Sequence, residues 1–148
     1  MAELDCSEDR LKTVSKEIAG EIRPKDRIFL EGPMGVGKST LARSLLMAFG
    51  VTQSPEGSPT FAIAHEYSGN KFEIVHIDFY RLKNALEIDE SGIGAYYWER
   101  DAVVMSEWIS AWPEFAHQVA DTGRVWRIRL EFSGRSDEKR NLVIERNG

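Results

Sequence analysis

The sequence predicts an α/β fold of three layers, a mixed β-sheet with helices on its faces. Three observations carry that reading. A glycine-rich loop, GPMGVGKS at residues 32–39, lies between an apolar β-favouring run, RIFL at 27–30, and a run whose Leu41, Leu45, Ala48 and Phe49 recur at helical spacing. Three further strand-like segments follow, FAIAHEY, FEIVHIDF and AVVMSE. The chain then closes on RVWRIRLEF and NLVIER, two β-favouring runs separated by the turn-rich SGRSDEKR.

In chain order, Ser7 is placed to cap a first helix, over which Leu11, Val14, Ile18 and Ile22 mark one apolar face until Pro24 ends it. The helix after the glycine-rich loop stops at Gly50, a residue suited to a helix C-terminus. VTQSPEGSPTF reads as a long irregular loop, because Pro, Ser, Gly and Thr dominate it. FAIAHEY and FEIVHIDF form a hairpin over SGNK. ALEIDESGIGAYYWERD reads as short helical pieces broken by Gly92 and Gly94, AVVMSE as a buried strand, and the last two runs as a closing hairpin. Repeats and low-complexity tracts are absent.

At 148 residues the chain is expected to be one domain, 1–148, large enough for a real core. Lys and Arg number 19 against 24 Asp and Glu, and the net charge of −5 argues against broad electrostatic binding to nucleic acid. The single cysteine, Cys6, excludes an internal disulfide and a multi-cysteine zinc site. No apolar run approaches a membrane span, and MAELDCSEDR lacks the pattern of a signal peptide, so a cytoplasmic protein with no membrane association is expected.

The glycine-rich loop carries chemistry. Gly32, Gly37, Lys38 and Ser39 complete G-x-x-x-x-G-K-[ST], in which glycines let backbone N–H groups curl inward onto phosphate oxygens and the next helix aims its positive dipole end at the same anion. Lys38 then bridges the outer phosphates, and the Ser39 hydroxyl is a hard oxygen ligand for Mg²⁺. A chain of this length meets the pattern by chance on the order of once in a few hundred cases, and the flanking strand and helix make it rarer. The fold class is thus a P-loop NTPase-like one.

A magnesium nucleotide site adds an acid at the end of a second buried strand. Asp78, ending IVHID, and Glu107, ending VVMSE, both qualify, and both emerge at one sheet edge if their strands run parallel to the first. The hairpin leaves open which of its two strands is antiparallel. Thr60, in the long loop, lies where a switch threonine senses a terminal phosphate, and equally suits an ordinary Ser-Pro-Thr turn. Trp108 either packs over the site or fills the core. His65, His76 and His117 are scattered and read as strand or core residues rather than metal ligands.

Two classes compete with an ATPase. A GTPase requires a base-reading motif, and NKFE at 70–73 imitates one, but it precedes DESG, sits in a hairpin turn and has Glu73 where Asp is needed. ATP is therefore the expected nucleotide. A small-molecule P-loop kinase, the alternative reading, needs an acceptor pocket and an arginine-bearing lid, and no insert with clustered arginine is evident.

The ordered set GPMGVGKST, SPTFAIAHEY, HIDFYRL and SEW resembles the TsaE (YjeE) family, small ATPases of bacterial tRNA threonylcarbamoyladenosine biosynthesis. The resemblance runs from about Asp26 to Trp108 and implies a set of roles. Lys38 and the loop from Gly32 through Met34, Gly35, Val36, Gly37, Ser39 and Thr40 bind the phosphates of ATP or ADP, Ser39 and Glu107 hold Mg²⁺, Thr60 and Asp78 support hydrolysis, and Trp108 lines the site. It also implies a TsaB–TsaD heterodimer as partner, with tRNA reached only through that complex, and an ATP cycle that resets the complex without catalysing the transfer. Three departures stand out: Ser39 replaces the more usual Thr and keeps its hydroxyl, Leu11 replaces a polar Thr of the first helix, and ISAWPEF follows Glu107–Trp108 where the family often has Pro.

Overall fold

In the computed structural model, residues 2–52, 64–133 and 139–147 are described. The chain runs β1 (Ala2–Cys6), α1 (Glu8–Glu21), β2 (Arg27–Glu31), α2 (Lys38–Ala48), β3 (Ala64–Ser68), β4 (Glu73–Asp78), α3 (Ala85–Ser91), α4 (Ala95–Trp98), β5 (Val103–Glu107), a 3₁₀ turn (Ile109–Ala111), α5 (Pro113–Ala120), β6 (Val125–Phe132) and β7 (Arg140–Asn147). Among the described residues the strands form one sheet in the order β1-β7-β6-β2-β5-β4-β3.

The middle of that sheet is parallel. β2 pairs with β5 and with β6, and β4 with β5, all in parallel, whereas β3, β7 and β1 each join antiparallel. The question left open by the hairpin is thereby resolved. β3 is its antiparallel strand, and β4 runs with the strand that leads into the glycine-rich loop. The closing hairpin forms as predicted, with Ile128 opposite Ile144 and Leu130 opposite Leu142.

Alternation along the strands makes two cores. Ile28 and Leu30 of β2, Met105 of β5 and Ile128 of β6 face the apolar stripes of α1 (Leu11, Val14, Ile18) and α2 (Leu41, Leu45). Phe29, Val75, Ile77 and Val104 point the other way, onto Ile88 of α3, Tyr97 of α4 and Val119 of α5. Each such leucine or isoleucine contributes about 1.5–3 kcal/mol by leaving water. The helix ends are those the sequence marks. Ser7 accepts the backbone N–H of Arg10 at 3.2 Å, and Gly50 in the left-handed region (φ 86°) lets Val51 N–H return to the Leu46 carbonyl at 3.0 Å. Gly92, also left-handed, closes α3.

Two elements were not expected. β1 carries the short sequence AELDC and is held by its ladder to β7. α5 begins on Pro113, which suits a first helical position because its missing N–H has no partner there. No helix among the described residues is long and apolar enough to cross a membrane.

At the N-terminal ends of the parallel strands a polar cluster ties the layers together. Buried Asp26 accepts from Arg124 Nε (3.1 Å) and Nη2 (2.8 Å), from Trp126 Nε1 (2.9 Å) and from the Arg23 N–H (2.9 Å). Fully buried Arg27 donates to Thr122 Oγ1, the Ala102 carbonyl and the Tyr97 carbonyl at 2.8–2.9 Å.

Candidate functional site

The opposite end of the sheet gathers the residues singled out in the sequence. β2 delivers the chain into residues 32–37, and α2 begins at Lys38 with Gly37 as its N-cap in the left-handed region (φ 112°). A side chain at Gly37 would meet open space, so glycine is required there for its backbone angle alone. Gly32 (φ 144°) is required twice over, since a Cβ would lie 2.5 Å from the Leu130 carbonyl oxygen. The loop thus lies tight against β6 on one side and stays open on the other.

β4 and β5 run parallel and in register, so Asp78 and Glu107 are paired neighbours at the strand ends, and Glu107 in turn registers with Leu30 just before the loop. Neighbouring strands lie about 4.8 Å apart. Both acids therefore emerge at the edge where α2 starts. Met34, Gly35, Gly37, Lys38, Ser39, Asp78, Tyr80, Arg81, Glu107 and Trp108 line one cleft of about 420 Å³. Of the predicted site, Gly32, Val36 and Thr40 do not line this cleft, Val36 and Thr40 bordering a second one instead, and Thr60 lies outside the described residues.

Each side chain is held by its surroundings. Lys38, buried, donates to the Gly32 carbonyl and to the Pro33 carbonyl at 3.2 Å. Its ammonium stands 4.0 Å from the centre of the Trp108 ring. Burial lowers the Lys38 pKa, against the pull of Glu107 and Asp78. Burial raises the Asp78 pKa, opposed by the Tyr80 N–H, which Asp78 Oδ1 accepts at 2.9 Å, and reinforced by the Glu107 charge. Trp108 lines the cleft and also packs against the core on the α3–α5 side of the sheet. It has φ 62°, a left-handed angle that costs a bulky residue on the order of 1–3 kcal/mol, and that turn lays its ring over Lys38 and 5.2 Å from Tyr80.

The donor set fits magnesium. Ser39 and Glu107 offer two hard oxygens in one cleft, and no cluster of three metal-ligating side chains occurs among the described residues. Such a set matches a cation that keeps several waters rather than one caged by protein. A second cleft of about 640 Å³ lies beyond the loop, bounded by Ser7, Leu11, Val36, Thr40, Leu130 and Arg140. Its lining mixes apolar Leu11, Val36 and Leu130 with polar Ser7, Glu8, Asp9 and Arg140. Arg140 donates through Nε to the Val36 carbonyl at 3.0 Å, joining β7 to the loop.

Sequence reasoning missed Tyr80, Arg81, Arg140 and His76 as site residues. His76 had a usable signal: it precedes Asp78 by two residues on a strand, so both face the same side. Arg140 had none, since only the sheet order brings β7 to the loop.

Comparison with known proteins gives the family and the fold. The family model "TsaE: Threonylcarbamoyl adenosine biosynthesis protein TsaE" matches residues 6–142. The tRNA threonylcarbamoyladenosine biosynthesis protein TsaE of Bacillus subtilis is 26% identical over 92% of this chain and 79% of its own length. That of Aquifex aeolicus is 36% identical over 65% of this chain and 74% of its own. That of Rickettsia conorii is 36% identical over 58% of this chain, and the matched segment spans about half of that protein, 49%. The crystal structure of Bacillus subtilis YdiB superposes with a TM-score of 0.68 at 22% identity, covering 97% of this chain and 84% of the other, which is a likeness of fold. With the family model matching nearly the whole described chain, this protein belongs to the TsaE family of threonylcarbamoyl adenosine biosynthesis proteins.

Proposed function

We propose that this chain binds ATP with Mg²⁺ in the cleft at the start of α2, hydrolyses it slowly alone, and through that cycle supports a TsaB–TsaD heterodimer in threonylcarbamoyl modification of the adenosine beside the anticodon of tRNA. The observation that carries the reading is the convergence of Lys38, Ser39, Asp78 and Glu107 on one cleft. In this scheme the amides of residues 34–40 and the α2 dipole hold the phosphates. Lys38 exchanges the Gly32 and Pro33 carbonyls for outer phosphate oxygens. Ser39 and Glu107 hold Mg²⁺, which when bound neutralises charge developing on the transferred phosphoryl group. Asp78, its proton affinity raised by burial and its orientation fixed by the Tyr80 N–H, orients the attacking water and accepts its proton. Thr60 senses the terminal phosphate. The net charge of −5 favours contact with tRNA only through the partners, in the cytoplasm where the modification takes place.

A slow isolated enzyme suits a switch, since turnover then reports that the partner has docked. Arg43 is exposed on α2 and Arg100 pairs with Glu66 at the sheet edge, so Arg81, on the cleft wall, is the arginine of these three within the site. A positive group delivered by a partner is worth ~10³ or more in rate. Steady-state phosphate release with and without purified TsaB–TsaD tests the proposal. The expected result is a slow basal rate that the heterodimer accelerates. A fast basal rate, unchanged by the heterodimer, rejects the switch.

A further inference from the structure

We propose that His76 is the positioning residue for Glu107, fixing one carboxylate oxygen so that the other is presented to Mg²⁺; this rests on the nucleotide reading above. His76 and Asp78 share a face of β4, and His76 registers with Met105, one pleat before the Asp78 and Glu107 pair. From there Nε2 reaches diagonally to Glu107 Oε2 at 2.6 Å. Both side chains are shielded, with 18% and 7% of their surface exposed. Among the described residues, His76 is the hydrogen-bond partner of the Glu107 side chain, and it engages Oε2 alone. A carboxylate at the end of a strand otherwise rotates about its last torsion. The bond to Nε2 removes that freedom and leaves Oε1, on a residue that lines the cleft, without a hydrogen bond to any of the described residues.

Asp78 is oriented separately, by the Tyr80 N–H. The two neighbouring acids are thus held by different donors, and a change at His76 acts on Glu107 first. Outer partners of metal-binding groups typically change metal affinity 10–100-fold when removed. A merely structural pair, present to satisfy two buried polar groups, predicts a loss of stability with no selective change in metal dependence.

The test compares the full chain with H76Q, whose amide nitrogen can replace Nε2 as donor, and H76L, which has no donor. ADP binding is followed by calorimetry while Mg²⁺ is titrated, and Mn²⁺ binding to the ADP complex is read by electron paramagnetic resonance. H76L is expected to need 10–100-fold more Mg²⁺ at the midpoint, H76Q to stay within about threefold of the parent, and ADP affinity in EDTA to be the same in all three. An H76L midpoint within twofold of the parent, or an H76Q shift as large as that of H76L, overturns the assignment. Should H76L not fold, ¹⁵N shifts of the His76 ring in the parent chain decide. A change on adding Mg²⁺ at saturating ADP supports the assignment, and no change overturns it. A parent chain that binds ADP without any response to Mg²⁺ overturns the proposed function itself, and this inference with it.

Discussion

Replacing Lys38 by Met separates the cost of a buried charge from its use. Methionine keeps the unbranched stem and removes the ammonium. With nucleotide bound, the variant loses charge-assisted hydrogen bonds to phosphate oxygens, each worth roughly 1.5–3 kcal/mol. Two such bonds at the lower end give about 3–4 kcal/mol, or a 10²–10³-fold rise in Kd. Without nucleotide the expectation reverses. Burial lowers the Lys38 pKa, so the folded chain binds that proton less tightly than the unfolded chain does. The resulting destabilisation is fully present at neutral pH and fades as pH rises through the lowered folded value toward the ordinary 10.5. The bonds to the Gly32 and Pro33 carbonyls and the contact with Trp108 offset part of it. Calorimetric titration with Mg²⁺ and ADP, paired with thermal unfolding of the nucleotide-free chain, reads both effects. The expected variant binds 10²–10³-fold more weakly and melts no lower than its parent. A Kd within threefold of the parent refutes the site, and a nucleotide-free Tm lower by more than ~6 °C, about 2 kcal/mol for a chain of this size, refutes the view of Lys38 as a charge held at a cost.

Three further outcomes follow from the same geometry. Nucleotide should change tryptophan emission through Trp108, and W108F should lose that response although Trp98, Trp112 and Trp126 remain; a full response in W108F would remove Trp108 from the site. Asp78 binds its proton more tightly when folded, so its contribution to stability is present below about pH 4 and is lost as pH rises through the folded pKa. D78N, permanently neutral and still able to accept from Tyr80, should therefore melt higher than the parent at pH 7 but not at pH 3.5, and equal melting points at pH 7 would contradict this. At the other end of the sheet, R27M leaves Thr122 Oγ1 and the Ala102 and Tyr97 carbonyls without their donor. At about 1–3 kcal/mol for each acceptor left unsatisfied, the loss should reach ~3 kcal/mol or more by urea unfolding, and a loss below ~1 kcal/mol would show that these groups find other partners.

How far the sequence discloses this molecule depends on the range of the interaction involved. α1, α2 and the closing hairpin are written in local periodicity and caps, and they appear where Ser7, Gly50 and the alternating valines and isoleucines place them. The glycine-rich loop is equally local. Strand direction is not, and that is why the sequence left undecided whether Asp78 and Glu107 share an edge; the β4–β5 register decides it. β1 escaped notice because AELDC, although Ala2, Leu4 and Cys6 alternate with Glu3 and Asp5, is only five residues long, holds none of the β-branched or aromatic types that mark strands, and depends on its ladder to β7. α5 was left unassigned, although Pro at a first helical position is a start signal. Among site residues, those within a motif were readable. Arg140, which acts through a bond spanning 104 positions of sequence, was not, and His76, although inside HIDFYRL, gave no sign of its bond to Glu107 31 positions away.

The two ends of the parallel strands differ in how fully their polar groups are partnered, and the contrast bears on function. At the N-terminal ends every bond made by Asp26 and Arg27 has good length, and the cluster ties β2 to β6 and to the α4 and α5 segments. That end carries cost as well, since Lys25 has a left-handed angle (φ 68°) and burial lowers the Arg27 pKa, but its charged groups are met by partners within the protein. At the C-terminal ends Lys38 is desolvated beside two carboxylates, Asp78 holds its proton more tightly than usual, and Trp108 adopts a left-handed backbone angle. Each of these features lowers stability, and all of them meet in one cleft. Strain and buried charge persist only where the surrounding structure over-determines them. The in-register central strands and the satisfied cluster beneath them supply that rigidity. A bound nucleotide with its metal would relieve the same features at once, giving Lys38 an anion, Glu107 a cation and Trp108 a neighbour to cover, so that binding should stabilise this end of the sheet far more than the other. Hydrogen exchange checks the point: nucleotide should slow exchange at the ends of β4 and β5 and the first turn of α2 while leaving the amides of β2 next to Asp26 unchanged. Uniform slowing over the whole sheet would instead mean that the cleft and the pinned end respond as one body.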